Sequence, residues 1–189
     1  MINNFTKKAG LATAIALALG ASTVSATIFN ASASFRTIAD VTITEVAALS
    51  FGTAVTGKAG TDCSLVAVIT PATPASNVDA NNTTTGTGCS STDAVVAEYT
   101  IGGANGATVT ILMATATDTD FTFAPAGDYS DQLAAGDTIT TYFADAPFNV
   151  TLDPAAGTGM LAVGGTLTII NDLNPSQSYA VAYDISIIY

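Results

Sequence analysis

Apolar and polar residues alternate with a two-residue period over much of this chain, most clearly from Tyr179 to Tyr189, YAVAYDISIIY. Tyr179, Val181, Tyr183, Ile185, Ile187 and Tyr189 fall on one face, and Ala180, Ala182, Asp184, Ser186 and Ile188 on the other, the signature of a half-buried β-strand. The chain is expected to end inside that strand. An apolar strand left at an open sheet edge recruits other chains, so the protein either closes its sheet internally or is built to assemble.

Residues 27–37, TIFNASASFRT, repeat the pattern: Phe29, Ala31, Ala33 and Phe35 alternate with Asn30, Ser32, Ser34 and Arg36. Extended, such an arm reaches roughly 36 Å. Burying its two Phe side chains would contribute about 3 to 6 kcal/mol. Two readings stand open: the arm is the first strand of its own domain, or it docks in a groove of another copy.

Between these ends, short alternating runs are separated by Gly, Pro, Asn and Asp clusters, a spacing that suits an all-β sandwich. Strands are expected near Ala39–Val46, Leu49–Ala54, Leu65–Thr70, Val95–Ile101, Ala107–Met113, Thr119–Phe123, Thr138–Tyr142, Phe148–Leu152, Met160–Ile170 and Ser178–Tyr189. Gly102 to Gly106, GGANG, reads as a hairpin loop. Gly164-Gly165 reads as a bulge or bend inside a strand.

The first 26 residues carry the parts of an export signal: Lys7 and Lys8, the apolar run from Ala9 to Gly20, and Val24-Ser25-Ala26 before a cut. That run of about a dozen residues is shorter than the roughly 18 to 20 a membrane span needs, and no later stretch is long enough, so no transmembrane span is expected in the mature chain. The organisation is then a signal peptide (1–26), an N-terminal arm (27–37) and one domain (38–189), exported by way of the periplasm to the cell surface or beyond. Without the signal, Arg36 and Lys58 stand against fifteen acids, a net charge of −13. Nucleic acid is a poor partner for that balance, because phosphates demand clustered Lys and Arg.

Cys63 and Cys89 are the two cysteines. In an exported chain an even pair implies a disulfide, and with no histidine they cannot complete a zinc set. The loop between them, with Pro71, Pro74 and TTTGTG, is one worth stapling.

The absence of His removes the usual Ser and Cys triads, and no Trp offers a sugar platform beside paired carboxylates, so no enzyme and no catalytic residue is expected. Calcium is the ligand that the acids suit best: Asp118, Asp120, Asp128, Asp131 and Asp137 gather hard oxygen donors, although their spacing matches no EF-hand and solvated loops would look the same. No other cofactor is implied. Lys58, in Gly-Lys-Ala-Gly, reads as a solvated loop residue.

Leu49-Ser50-Phe51-Gly52, Ala97 to Gly103 with Ala107 to Ile111, and Val163 to Ile169 leading to Tyr189 together resemble, in order along nearly the whole mature chain, a bacterial secreted domain family of unknown function, number forty-four zero two. The LxFG element and the terminal strand ending in Tyr are also similar to the spore coat U type of pilin in archaic chaperone-usher pili. The resemblance implies an immunoglobulin-like β-sandwich of two antiparallel sheets, with an extended N-terminal strand or donor arm. For the pilin relatives it implies a subunit that lacks a strand and receives it from a neighbour's arm, with a periplasmic chaperone and an outer-membrane usher as partners. Ser178 departs from the Gly that the family often carries before the Tyr opening its last strand.

The leading expectation is therefore a fimbrial subunit that forms a homopolymer by β-strand donation, Phe29, Ala31, Ala33 and Phe35 fixing the register. The alternative is a self-complete secreted adhesin or matrix-binding module, with or without calcium.

Overall fold

Thirteen strands and no helix make up the described part of the chain: β1 (Thr42–Ala47), β2 (Asp62–Leu65), β3 (Ile69–Thr70), β4 (Asn77–Val78), β5 (Thr84–Thr85), β6 (Ala97–Gly102), β7 (Thr108–Met113), β8 (Ala116–Thr117), β9 (Phe121–Ser130), β10 (Ile139–Phe143), β11 (Phe148–Thr151), β12 (Thr158–Ile169) and β13 (Ile185–Ile188). The computed structural model describes residues 40–53, 55–70, 77–78, 83–89, 93–132 and 136–189. All of them lie within the unit Thr37–Tyr189. Every ladder between these strands is antiparallel.

The spine is β12. One of its edges pairs with β9 from Met160 to Ile169, and the other pairs first with β6 over Thr158–Val163 and then with β2 over Gly165–Thr168. Because successive strand residues point to opposite faces, Leu161 and Val163 enter one apolar cluster while Met160 and Ala162 enter another. A strand buried on both faces must be apolar almost throughout, as MLAVGG is. The partner switch falls at Gly164-Gly165, the expected bend. Gly165 has φ 135°, and a Cβ on either glycine would strike backbone, the Leu65 carbonyl for Gly164 and the Ala124 carbonyl for Gly165.

Around this spine the large sheet runs β1-β6-β12-β9-β10, with β2 and β5 continuing from β12 and β8 joining β9. A second sheet has the order β11-β7-β13, and β3 and β4 form a short ribbon. Both larger sheets feed one core: Ile101, Tyr129, Tyr142 and Leu161 from the large sheet meet Val109, Ile111 and Val150 from the small one.

Several expectations change. The Gly102–Gly106 loop is no hairpin, because β6 belongs to the large sheet and β7 to the small one. Gly106, at φ 66°, helps turn the chain across the core, and Gly103 donates its amide to the Gly157 carbonyl at 2.8 Å. Of the Leu49–Ala54 strand, the described residues contribute only an isolated bridge, Ser50 to Val95, and Gly52 at φ 80° diverts the chain after it. Leu65–Thr70 is broken into the end of β2 and the start of a separate ribbon. The Thr119–Phe123 strand begins two residues later and runs on to Ser130, passing through Pro125. That proline stands opposite Gly165, where the ladder is already bent and the missing amide hydrogen does least harm.

The disulfide is present, with Cα atoms of Cys63 and Cys89 5.0 Å apart across 26 residues. It ties β2 to the turn that bridges Val55. Closing a loop of that length stabilises by about 3 to 4 kcal/mol in the chain-entropy model.

Candidate strand-accepting site

The small sheet covers the large one lane by lane. Phe148 of β11 stacks on Tyr142 of β10 with ring centroids 4.8 Å apart, and the Tyr129 hydroxyl of β9 donates to the Thr151 carbonyl of β11 at 2.9 Å. At the other side, Tyr183, two residues before β13, meets Tyr99 of β6 hydroxyl to hydroxyl at 2.7 Å. So β11 lies over β9 and β10, and β13 over β6. Among the described residues no strand lies over β1.

The burial of β1 agrees with this. Ile43 pairs with Ile101 and Glu45 with Tyr99, and cross-strand partners share a face. Ile101 is completely buried, yet Ile43 beside it is 41% exposed. Every residue of β1 except Ala47 is exposed. A lane over β1 is therefore left without a strand among the described residues, with Ile43 exposed in it, while Ile101 beside it is closed over.

The terminal segment forms the lane's other wall, and here the strand expectation is corrected. The ladder covers only Ile185–Ile188, against Met113 to Thr110 of β7. After Met113 the chain leaves to join β9 through β8, so residues 178–184 have no strand beside them. Among the described residues, none of residues 180–184 makes a backbone-to-backbone hydrogen bond. Burial nonetheless alternates as the sequence pattern requires: Val181, Tyr183, Ile185 and Ile187 are half-buried and their neighbours exposed. Tyr183, Ile185 and Ile187 pack on the main core.

Two further tyrosines moor this segment. Tyr179 is edge-on to Phe121 at 6.1 Å and accepts the Asn174 amide at 2.8 Å. The Tyr189 hydroxyl accepts the Ala104 amide at 2.9 Å. Both rings remain more than two-fifths exposed, at 42% and 44%, so of the six residues expected to be core, these end residues act as anchors at its rim.

Burial raises the pKa of Tyr183; its bond to Tyr99 and the charges of Tyr99 and Glu45 add to the rise. Tyr99 is raised as well, first by burial and then by Glu45, with the Tyr183 bond acting in the opposite sense. Both hydroxyls thus stay protonated and neutral through the physiological range, as a bridge from β6 to the terminal segment.

The remaining predicted residues are dispersed. Phe29, Ala31, Ala33 and Phe35, like the signal segment, lie outside the described residues. The Asp118 carboxylate accepts the Thr119 amide at 2.6 Å, and Asp120 accepts from the Asn171 side chain at 3.2 Å. At the far end of β9, Asp128 accepts from the Ile69 amide at 3.1 Å and the Thr141 hydroxyl at 2.7 Å. Asp131 accepts the Thr138 amide at 2.9 Å, and Asp137 precedes β10. Among the described residues no three His, Cys, Asp or Glu side chains come together in a group able to hold a metal ion. Lys58 is exposed in its loop.

Sequence reasoning missed Ile43, Glu45, Tyr99 and Ile101. The alternation through Val41, Ile43 and Glu45 was available, but only the pairing with β6 reveals which face of β1 looks into the lane. The chain matches no protein-family model, no curated protein and no solved structure. No helix among the described residues is long and apolar enough to cross a membrane.

Proposed function

We propose that the two sheets form an immunoglobulin-like β-sandwich short of one strand, and that the protein is a non-enzymatic structural subunit of a surface filament assembled by strand donation. One observation carries this reading: β1 has no strand over it among the described residues and leaves Ile43 exposed, and residues 180–184 have no strand partner for their backbone groups. A sheet edge of this kind is the template for β-augmentation, in which backbone hydrogen bonds supply affinity and alternate side chains supply register. The arm at residues 27–37 has the matching alternation. The disulfide and the N-terminal export pattern suit a protein exported through the periplasm, where a chaperone would cover the lane before assembly and an usher would pass the subunit outward.

The test is deletion of residues 27–37 with the signal retained. The deleted chain is secreted as a monomer, while the intact one gives filaments by negative-stain microscopy and ladders that resist SDS. Filaments of normal length from the deleted chain refute the donor role. A chain that fills the lane with its own arm is instead monomeric when intact, which is the behaviour of a self-complete binding module.

A further inference from the structure

Six tyrosines occur in the chain, all among the described residues. Four of them turn their hydroxyls to backbone. Tyr129 and Tyr142 donate to the carbonyls of Thr151 and Ala162 at 2.9 and 2.7 Å, and Tyr179 and Tyr189 accept the amides of Asn174 and Ala104 at 2.8 and 2.9 Å. Tyr99 and Tyr183 differ, because their hydroxyls meet each other at 2.7 Å. The ring carbon beside each hydroxyl, where an oxidised phenol carries much of its unpaired electron, lies only two bonds from that contact.

A phenol gives up an electron readily only when its proton leaves with it, so a base must be within hydrogen-bond reach. A backbone carbonyl is too weak a base, and an amide N–H offers none. Tyr99 has one: Glu45, its cross-strand partner on β1, holds a carboxylate hydrogen-bonded to it, and the charge of Glu45 acts on Tyr183 as well. Both rings are half-buried, open enough for electrons to pass to an oxidant in solution. Both also pack on the main core, with Phe123 edge-on to Tyr183 at 5.2 Å, which keeps the contact in place.

We propose that Tyr99 and Tyr183 form a site of oxidative cross-linking, where a peroxide acting through a haem peroxidase joins the two rings by an aryl ether. Each ring loses one electron and one phenolic proton, Glu45 accepting that of Tyr99 and passing it to solvent. The oxygen of one ring then bonds to the carbon beside the hydroxyl of the other, and the hydrogen displaced from that carbon returns to its own ring's oxygen. In sum one O–H and one C–H bond break and one C–O bond forms, while the two electrons and two protons convert hydrogen peroxide to two molecules of water. The link ties β6 to residues 180–184, which no backbone ladder holds, across a separation of 84 residues. It is a second covalent tie beside Cys63–Cys89, and one that thiols do not open. The site stands whether or not subunits exchange strands.

The full chain, treated with hydrogen peroxide and a haem peroxidase and then reduced, tests this by mass and peptide mapping. The expected product is a monomer lighter by two hydrogen atoms, with one linked peptide pair joining positions 99 and 183. Tyr99→Phe and Tyr183→Phe each lose the link, Tyr189→Phe keeps it, and Glu45→Gln slows it several-fold. In urea, where the contact is gone, the same treatment scatters links over all six tyrosines. Because a cross-link removes conformations from the unfolded chain, the linked monomer is expected to melt roughly 10 °C above the untreated one. Links that favour other tyrosines, the more exposed Tyr179 and Tyr189 first among them, or that join separate chains, overturn the site. So does a folded chain that keeps its mass under conditions that cross-link it in urea. An unchanged melting temperature overturns the stapling of the terminal segment. If a phenylalanine variant fails to accumulate, the map of the unaltered chain decides alone.

Discussion

Tyr99 and Tyr183 are separated by 84 residues in sequence, and their hydroxyls share a hydrogen bond of 2.7 Å that joins β6 to the terminal segment. Because residues 180–184 lack strand partners, this contact and the packing around it hold the terminal segment in place. Removing one hydroxyl leaves its half-buried partner without that bond, whereas removing both leaves two aromatic rings that still pack. Tyr99→Phe and Tyr183→Phe are each expected to cost about 1 kcal/mol, and the double variant less than their sum. Urea denaturation of the four proteins checks this. Strict additivity would show that the two hydroxyls are not coupled.

The same tyrosines make the fold sensitive to alkali. Tyr99, Tyr129, Tyr142 and Tyr183 all have raised pKa values, in each case chiefly through burial. In the unfolded chain tyrosine titrates near 10. Above about pH 10 the unfolded state therefore binds fewer protons than the folded one, and stability falls as pH rises. Below that pH both states are protonated and this contribution is complete. The fall approaches about 1.4 kcal/mol per pH unit for the buried Tyr142, and is smaller for the more open Tyr99, where solvent screens the phenolate. Melting temperatures are expected to be level from pH 8 to 9.5 and to drop steeply by pH 11, tyrosinate absorbance rising together with unfolding. Ionisation of all the tyrosines near pH 10 with the fold intact would contradict the burial.

The features that local chemistry dictates were legible in the sequence. The Cys63–Cys89 bridge followed from an even pair in a chain with an export-like N-terminal pattern, the bend at Gly164-Gly165 from two glycines inside an apolar run, and the alternating burial of Val181 to Ile187 from period alone. What depended on partners was hidden. The glycines of the Gly102–Gly106 loop permit a hairpin and a crossover equally, and only the pairing of β7 with β11 and β13 selects the crossover. The run of β9 through Pro125 was hidden because the tolerance of that proline depends on Gly165, forty residues away. The length of β13 is set by where β7 stops, and the lane by the mismatch between a large sheet that extends to β1 and a small one that ends at β13. No stretch of sequence contains that mismatch.

The bend in β12 gives the sharpest test of the frame behind the site. Gly165 combines φ 135° with a site where a Cβ would meet the Ala124 carbonyl and, at 2.8 Å, the Cα of Pro125. Backbone cannot swing aside as the tip of a flexible side chain can. Gly165→Ala therefore combines strained backbone with overpacking, together about 3 kcal/mol. Gly60 provides the control: it also has positive φ, 79°, but nothing lies within 4 Å of its would-be Cβ. Gly60→Ala should cost only the conformational penalty, about 1 kcal/mol. For a domain of this size each kcal/mol lowers the melting temperature by roughly 2 to 4 °C. The Gly165 variant is expected to melt several degrees below the Gly60 variant, and equal losses would mean that β12 changes partners without needing glycine. Since β2 and its disulfide join the sheet beyond this bend, the damage should spread there first, as faster reduction of Cys63–Cys89 in the Gly165 variant under mild thiol.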